Sequence, residues 1–262
     1  VSLPHAKKEL GQHWLTDKTS LEAIAEAASV TKADMVLEIG PGTGTLTDVL
    51  AQQAKHIIAL EFDRVRAREL TKQYSPSPVI EVREGDIRSF DLSPLPFGYK
   101  IVANIPYYLT ANLLRKLVDD DNKPQAASLL VQKEVAERVA AKPGSLSQIA
   151  VFVQVFYEVS LGELVPAYLF TPPPKVDSQV LILNLRKQPL ITVDQTFFRL
   201  VKAGFGEKRK KLRSSLSGGL NMQKSDIEAA LLAAGLPPDS RAQELSIEQW
   251  QDLREALFPI NT

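Results

Sequence analysis

An α/β fold, in which a doubly wound sheet is followed by a small all-helical domain, is predicted by three observations. Short apolar runs alternate with amphipathic helical patterns from residue 17 to about residue 131. Polar residues suited to chemistry fall where the apolar runs stop, the edge at which open α/β sheets bind ligands. After Pro189 the strand patterns cease and only helical periodicity continues. A boundary near residue 188 is therefore expected, dividing residues 1–188 from a helical domain of residues 189–262.

The elements follow in order. Lys7 to Leu15 is polar and aromatic, and Asp17 can cap a helix to about Val30 with Leu21, Ile24, Ala25 and Ala28 on one face. Met35 to Ile39 reads as a strand, followed by Gly40-Pro41-Gly42-Thr43-Gly44 and a helix with Leu46, Val49 and Leu50 inward. Further strands are expected over His56 to Leu60, Val79 to Arg83, Lys100 to Ala103 and Ala127 to Val131, with helices over Arg64 to Gln73 and Thr110 to Val118. Leu146 to Val165 reads as a helix to about Phe156 and then a strand, with one long strand as the other option. Phe170 to Ser178 is a Pro-rich connector, and Gln179 to Leu185 a last strand. Three helical stretches close the chain: Asp194 to Ser217 with a break near Gly204-Phe205-Gly206, Ser225 to Ala234, and Ser246 to Leu257. In the last two, Leu231, Leu232, Trp250, Leu253 and Leu257 are expected to pack a small core.

Composition narrows the function classes. With 44% hydrophobic and 24% charged residues over 262 positions, the chain can bury a substantial core. It contains no Cys, which excludes disulfides and thiolate metal sites and suits a reducing, cytoplasmic compartment. No apolar run approaches the roughly 18 residues of a membrane span, and Val1 to Leu10 lacks the apolar segment of a secretory signal. Formal net charge is zero, so any attraction to nucleic acid must be local. The local candidate is residues 202–213, where Lys202, Lys208, Arg209, Lys210, Lys211 and Arg213 stand against a single acid, Glu207. Such a run suits phosphate contact, and it equally describes a solvated helix face.

Four strand ends carry the chemistry. The Gly40–Gly44 loop is G-x-G-x-G, which lets backbone approach a ligand; by itself it is also a plain tight turn. It departs from the dinucleotide spacing, as suits a cofactor without a pyrophosphate. Glu61, 21 positions after Gly40, can accept both hydroxyls of a ribose. Asp86 can accept from an adenine amino group, and Gly85-Asp86 is also ordinary turn chemistry. Asn104-Ile105-Pro106-Tyr107-Tyr108 places an amide acceptor, a fixed turn and two aromatic rings within five residues, a set suited to holding an exocyclic amine. Together they describe an adenosine-bearing cofactor lying across the sheet edge with its reactive end toward Asn104.

The set Glu38 to Gly44, Glu61, Gly85-Asp86 and Asn104 to Tyr107 resembles S-adenosylmethionine-dependent methyltransferases acting on adenine amino groups. With Leu10 to Leu15, Phe170 to Ser178 and Phe205 to Arg213 added, the chain resembles the small-subunit ribosomal RNA adenine N6,N6-dimethyltransferase family over about residues 7–258. The resemblance implies a Rossmann-like class I methyltransferase sheet and S-adenosyl-L-methionine as cofactor. It implies dimethylation of two adjacent adenines near the 3′ end of small-subunit rRNA in the (pre-)30S particle, with a role in subunit biogenesis. It further implies cofactor contacts from His13, Leu15, Gly40, Gly42, Glu61, Asp86 and Asn104, and catalytic roles for Asn104, Ile105, Pro106 and Tyr107. Substrate contacts are implied for Tyr107, Phe170, Lys208, Arg209, Lys210, Lys211 and Arg213. No metal and no membrane partner is expected, and the chain is expected to act as a monomer.

Two positions depart from the family pattern: His13-Trp14 stands where Asn-Phe is usual, and Tyr108 where Asn is common. His13 can still hydrogen-bond a methionine carboxylate. Three rival readings stand beside this one. The first is a large-subunit rRNA adenine methyltransferase of the antibiotic-resistance type. The second is an assembly factor whose methylation is secondary. The third, a nicotinamide-dependent oxidoreductase, is disfavoured by the glycine spacing and the lack of a hydride-site pattern.

Overall fold

The computed structural model describes residues 6, 7, 10–207 and 210–259. In chain order the first elements are β1 (Trp14–Leu15), α1 (Lys18–Ala27), β2 (Met35–Ile39), α2 (Thr45–Gln53), β3 (His56–Glu61), α3 (Arg64–Tyr74) and β4 (Ile80–Glu84). There follow β5 (Lys100–Asn104), α4 (Thr110–Asp119), β6 (Ala126–Gln132), α5 (Lys133–Val139), α6 (Gln148–Phe156), β7 (Tyr157–Val165), β8 (Phe170–Thr171) and β9 (Ser178–Leu185). The last are α7 (Gln195–Gly204), α8 (Leu212–Leu220), α9 (Lys224–Ala233) and α10 (Ile247–Leu257).

Local chemistry starts these helices where the residue types require. Asp17, Asp63, Ser147 and Asp194 each accept a backbone N–H of the first turn they precede, and Ser246 forms a reciprocal capping box with Gln249. Each cap satisfies donors that a helix start leaves without intrahelical partners.

Contacts divide the chain into two units. The first, Val1–Glu137 with Glu158–Leu185, holds a seven-stranded sheet in the order β4-β3-β2-β5-β6-β9-β7. Strands β4 to β6 run parallel, and β9 returns antiparallel to β6. From β2 the chain builds outward through β3 to β4, then crosses back to place β5 on the other side of β2. The crevice at that reversal is the ligand position of open α/β sheets. Because Glu38 pairs with Val102, two further residues bring Gly40 alongside Asn104. Val36, Leu46, Leu50, Ile57, Val102 and Leu130 lie in one buried apolar cluster, which fixes the strand ends behind it.

The second unit is Arg138–Tyr157 with Arg186–Thr262. The single boundary expected near residue 188 thus differs from the observed grouping, in which α6 belongs with the C-terminal helices. The cause is its composition: QIAVFVQVF buries Ala150, Val151, Phe152, Val153 and Val155, and Phe152 meets Phe198 of α7 edge-on at 5.0 Å. Leu231, Trp250 and Leu253 are buried and Leu257 partly so, whereas Leu232 is 60% exposed, against the expectation that it packs. Arg254 forms an ion pair with Asp194 beside the α7 cap.

In this unit Gly204 is where α7 meets Trp250. A Cβ at Gly204 would lie 2.4 Å from Cη2 of Trp250, whose ring is fully buried. Gly204→Ala is therefore expected to destabilise the chain by about 1–3 kcal/mol through overpacking. Gly218→Ala, where a Cβ meets nothing within 4 Å, is expected to be neutral or stabilising. Denaturant unfolding of both variants checks this; equal midpoints would contradict it.

Candidate active site

An open cleft lies at the C-terminal ends of β2 to β5 in the first unit. It is lined by all the cofactor-site residues expected from sequence, His13, Leu15, Gly40, Gly42, Glu61, Asp86 and Asn104, and by Ile105, Pro106, Tyr107 and Phe170.

The glycine loop forms one wall. Gly42 has φ +57, and a Cβ there would come within 2.6 Å of the Trp14 ring, so only glycine fits beneath that side chain. Glu61 is 5% exposed. Its carboxylate accepts the Gly42 N–H at 3.0 Å and the Asp63 N–H at 2.8 Å, which ties the loop to the end of β3. Burial raises the Glu61 pKa, and these backbone donors oppose the rise.

Glu38 lies within β2 and lines the cleft while only 1% exposed. Its carboxyl oxygens accept no well-formed hydrogen bond among the described residues, and the nearby Thr47 hydroxyl only partly stabilises them. Burial, reinforced by the Glu61 and Asp48 carboxylates and opposed by Thr47, pushes its pKa up to about 8. With Glu61 and Asp86 also on its wall the cleft is acidic, which fits a sulfonium cofactor with an amino-acid tail.

The shift has a sign for stability. The folded chain holds a proton that an unfolded Glu, near 4.5, has already released. Stability is full below the unfolded value and falls as pH rises toward 8, by at most about 1.4 kcal/mol per pH unit. The ligand-free protein is expected to lose melting temperature between pH 5 and pH 8, with Glu38→Gln flattening that slope. Identical slopes in the two proteins would contradict the assignment.

The opposite wall is the β5 end. The Asn104 amide makes no hydrogen bond to the described residues, while its backbone is held in register with Leu130 of β6. Pro106, at φ −53 and ψ 127, turns the chain into a 3-10 turn over Tyr107–Leu109. The Tyr107 hydroxyl lies 2.8 Å from Ser178 Oγ at the start of β9. A Cβ built on Gly40 would stand 3.9 Å from the Asn104 carbonyl, so the two walls meet closely.

Three expected ligand residues are otherwise engaged. Both Asp86 oxygens accept from the Arg88 guanidinium at 2.6 to 3.0 Å, and that interaction holds the carboxyl below its usual range. His13 Nδ1 lies 2.7 Å from the Pro172 carbonyl, and its ring stacks on Tyr107. Phe170 is 3% exposed and belongs to the apolar core as well as to the cleft lining.

The basic run sits in the second unit and is not part of the cleft lining. Lys208 and Arg209 lie outside the described residues. Lys210 pairs with Glu207, Lys211 with Asp239 at 3.7 Å and Arg213 with Glu228 at 3.0 Å. These pairs are solvent-exposed, so each contributes little and is readily exchanged for another anion.

The sequence model of the ribosomal RNA adenine dimethylase family matches residues 4–257. The chain belongs to that family. Curated relatives named ribosomal RNA small subunit methyltransferase A include one from Synechococcus sp., 40% identical over 98% of this chain and 94% of its own length. Another, from Dehalococcoides mccartyi, is 36% identical over 95% of this chain and 87% of its own. Among solved structures, the 23S rRNA methyltransferase ErmE superposes with a TM-score of 0.75 at 30% identity, over 93% of this chain and 99% of that one. A dimethyladenosine transferase from Plasmodium falciparum gives 0.76 at 28% identity, over 92% and 96%. Both support the Rossmann-like methyltransferase sheet.

Several residues at or beside the cleft were given no role of their own from sequence, although Glu38, Pro172 and Ser178 lie in stretches that carry the resemblance. Glu38 stands inside an otherwise apolar strand, Met-Val-Leu-Glu-Ile, and a buried acid in such a run is itself a signal. Arg88, Pro172 and Ser178 act through contacts distant in sequence or within a turn, which no local pattern announces. Among the described residues there is no metal-binding group of His, Cys, Asp and Glu, and no helix is long and apolar enough to cross a membrane.

Proposed function

We propose that this chain methylates N6 of two adjacent adenines near the 3′ end of small-subunit rRNA, to the dimethyl state, in the (pre-)30S particle. The observation that carries the reading is the Asn104 amide, free of described partners at the sheet's reversal point beside a glycine loop. Identity of up to 40% to relatives named for the small subunit, against 30% to the 23S methyltransferase ErmE, favours the small subunit over the large.

Bound in the cleft, S-adenosylmethionine supplies an electrophilic methyl group on a sulfonium centre. The chain's part is binding and positioning. Glu61 would hold the ribose hydroxyls and the Gly40–Gly42 backbone would lie against the tail, with Glu38 a buried, protonated acid in the same wall. Asp86 would accept from the cofactor's adenine amine once Arg88 releases an oxygen. The Asn104 side-chain oxygen and the Ile105 carbonyl would accept the two N6 hydrogens of the target base. That pair holds the nitrogen toward a tetrahedral form and aims its lone pair, so orientation provides most of the acceleration. Pro106 fixes the turn, and Tyr107 would stack on the base once it leaves the helix. Phe170, deeper in the cleft, would bound the same slot. Lys210, Lys211 and Arg213 would exchange their carboxylate partners for rRNA phosphates, and Lys208 and Arg209 would add phosphate contacts.

Labelled methyl donor, offered with undermethylated small or large subunits, tests this. Label entering small subunits only is expected; label confined to large subunits would overturn it.

A further inference from the structure

We infer that His13 is a positioning residue for Tyr107, holding one face of that ring so that the other is presented to the target base. This rests on the reading that Tyr107 carries the base.

The two rings are near-parallel, at 23°, with centroids 5.9 Å apart. A carbonyl oxygen only accepts, so the 2.7 Å contact with Pro172 requires that His13 Nδ1 carry the proton. Nδ1 is thereby committed to Pro172, and the face of the ring to Tyr107.

The tether joins three segments. His13 immediately precedes β1, whose Trp14 and Leu15 pair with Thr171 and Phe170 of β8. Pro172 follows β8 directly, so the ladder and the His13 hydrogen bond hold the same two segments together. Tyr107 is fixed at its other end by the hydroxyl of Ser178, which is fully buried at the start of β9. The Tyr107 ring is thus held by a stack on one face and a hydrogen bond at its tip, while the residue remains partly exposed to the cleft. Loss of the stack removes the restraint on that face and lets the ring tilt about its hydrogen-bonded tip.

The test separates the ring from the donor. His13→Phe keeps a flat ring and removes the Nδ1–H; His13→Asn keeps a donor and removes the ring face; His13→Ala removes both. Methyl transfer to undermethylated small subunits is measured at saturating donor, with S-adenosylhomocysteine affinity by calorimetry on the same proteins. In His13→Ala, kcat is expected to fall by about tenfold, with N6-monomethyladenine accumulating ahead of the dimethyl product. The Phe and Asn variants are expected to fall between it and the unsubstituted chain. Affinity for S-adenosylhomocysteine is expected to stay within about twofold in all three, which also reports that they fold. A loss of that affinity with kcat unchanged would overturn the inference and return His13 to the cofactor. Wild-type kinetics in all three variants would overturn it while leaving the proposed function standing. An unsubstituted chain that transfers no methyl groups would overturn both.

Discussion

Replacing Asn104 by Ala is expected to lower methyl transfer by about 10²- to 10³-fold, the range for removing one preorganised polar group from a reacting centre. Affinity for S-adenosylhomocysteine is expected to stay within about threefold. The asymmetry follows from where Asn104 sits. Its backbone closes the β5–β6 ladder, which Ala preserves, and its amide has no partner among the described residues whose loss would disturb the fold. The side chain is therefore available to the ligand alone. A neutral adenine N6 is a poor nucleophile because its lone pair is delocalised into the ring. The Asn104–Tyr108 segment holds no strong base, so the reading rests on the amide's acceptor oxygen together with the Ile105 carbonyl. Single-turnover transfer at saturating donor measures the effect. Turnover within about twofold of the unsubstituted chain would remove the positioning role.

The second large effect belongs to Glu61. Glu61→Ala is expected to weaken S-adenosylhomocysteine binding by about 100-fold or more, since hydrogen bonds to a charged acceptor are worth about 1.5–3 kcal/mol each. Two consequences would combine. On the proposed reading the ribose hydroxyls would lose their acceptor, and the Gly42 and Asp63 N–H groups lose the carboxylate that holds the loop against β3. Glu61→Gln separates them, because an amide oxygen can still accept one of those donors at similar shape; an intermediate loss is expected. Calorimetric titration of S-adenosylhomocysteine into both variants gives the comparison. Unchanged affinity in Glu61→Ala would show that the ribose lies elsewhere.

The parts of this molecule legible in its sequence are those set by local periodicity. Met35 to Ile39 and His56 to Glu61 form strands because their apolar runs are short and stop at polar residues. Gly40, Glu61, Asp86 and Asn104 then line one cleft because parallel strands place all their C-terminal ends on the same edge. What local pattern did not carry is long-range. A two-residue strand such as Trp14–Leu15 has no period to detect, and its pairing with Phe170–Thr171 spans most of the first unit. The helix Gln148–Phe156 is apolar but for its two glutamines, which marks burial without saying in which unit. The change of character after Pro189 marks only the last of three crossings between units. Asp86 was legible as an acid at a strand end, but its engagement by Arg88 depends on a turn geometry that the pair of residues does not specify. His13 likewise stands at a recognisable position, while its partner Pro172 is 159 residues away.

N6 dimethylation of adenine by a cleft that positions the amine is tested most directly by base-resolution mapping of small-subunit rRNA, after incubating undermethylated subunits with this chain and S-adenosylmethionine. N6,N6-dimethyladenine is expected at two adjacent positions near the 3′ end, and is expected to be absent when Asn104→Ala replaces the unsubstituted chain. Methylation at another atom or another base, or the same product from the Asn104 variant, would contradict it.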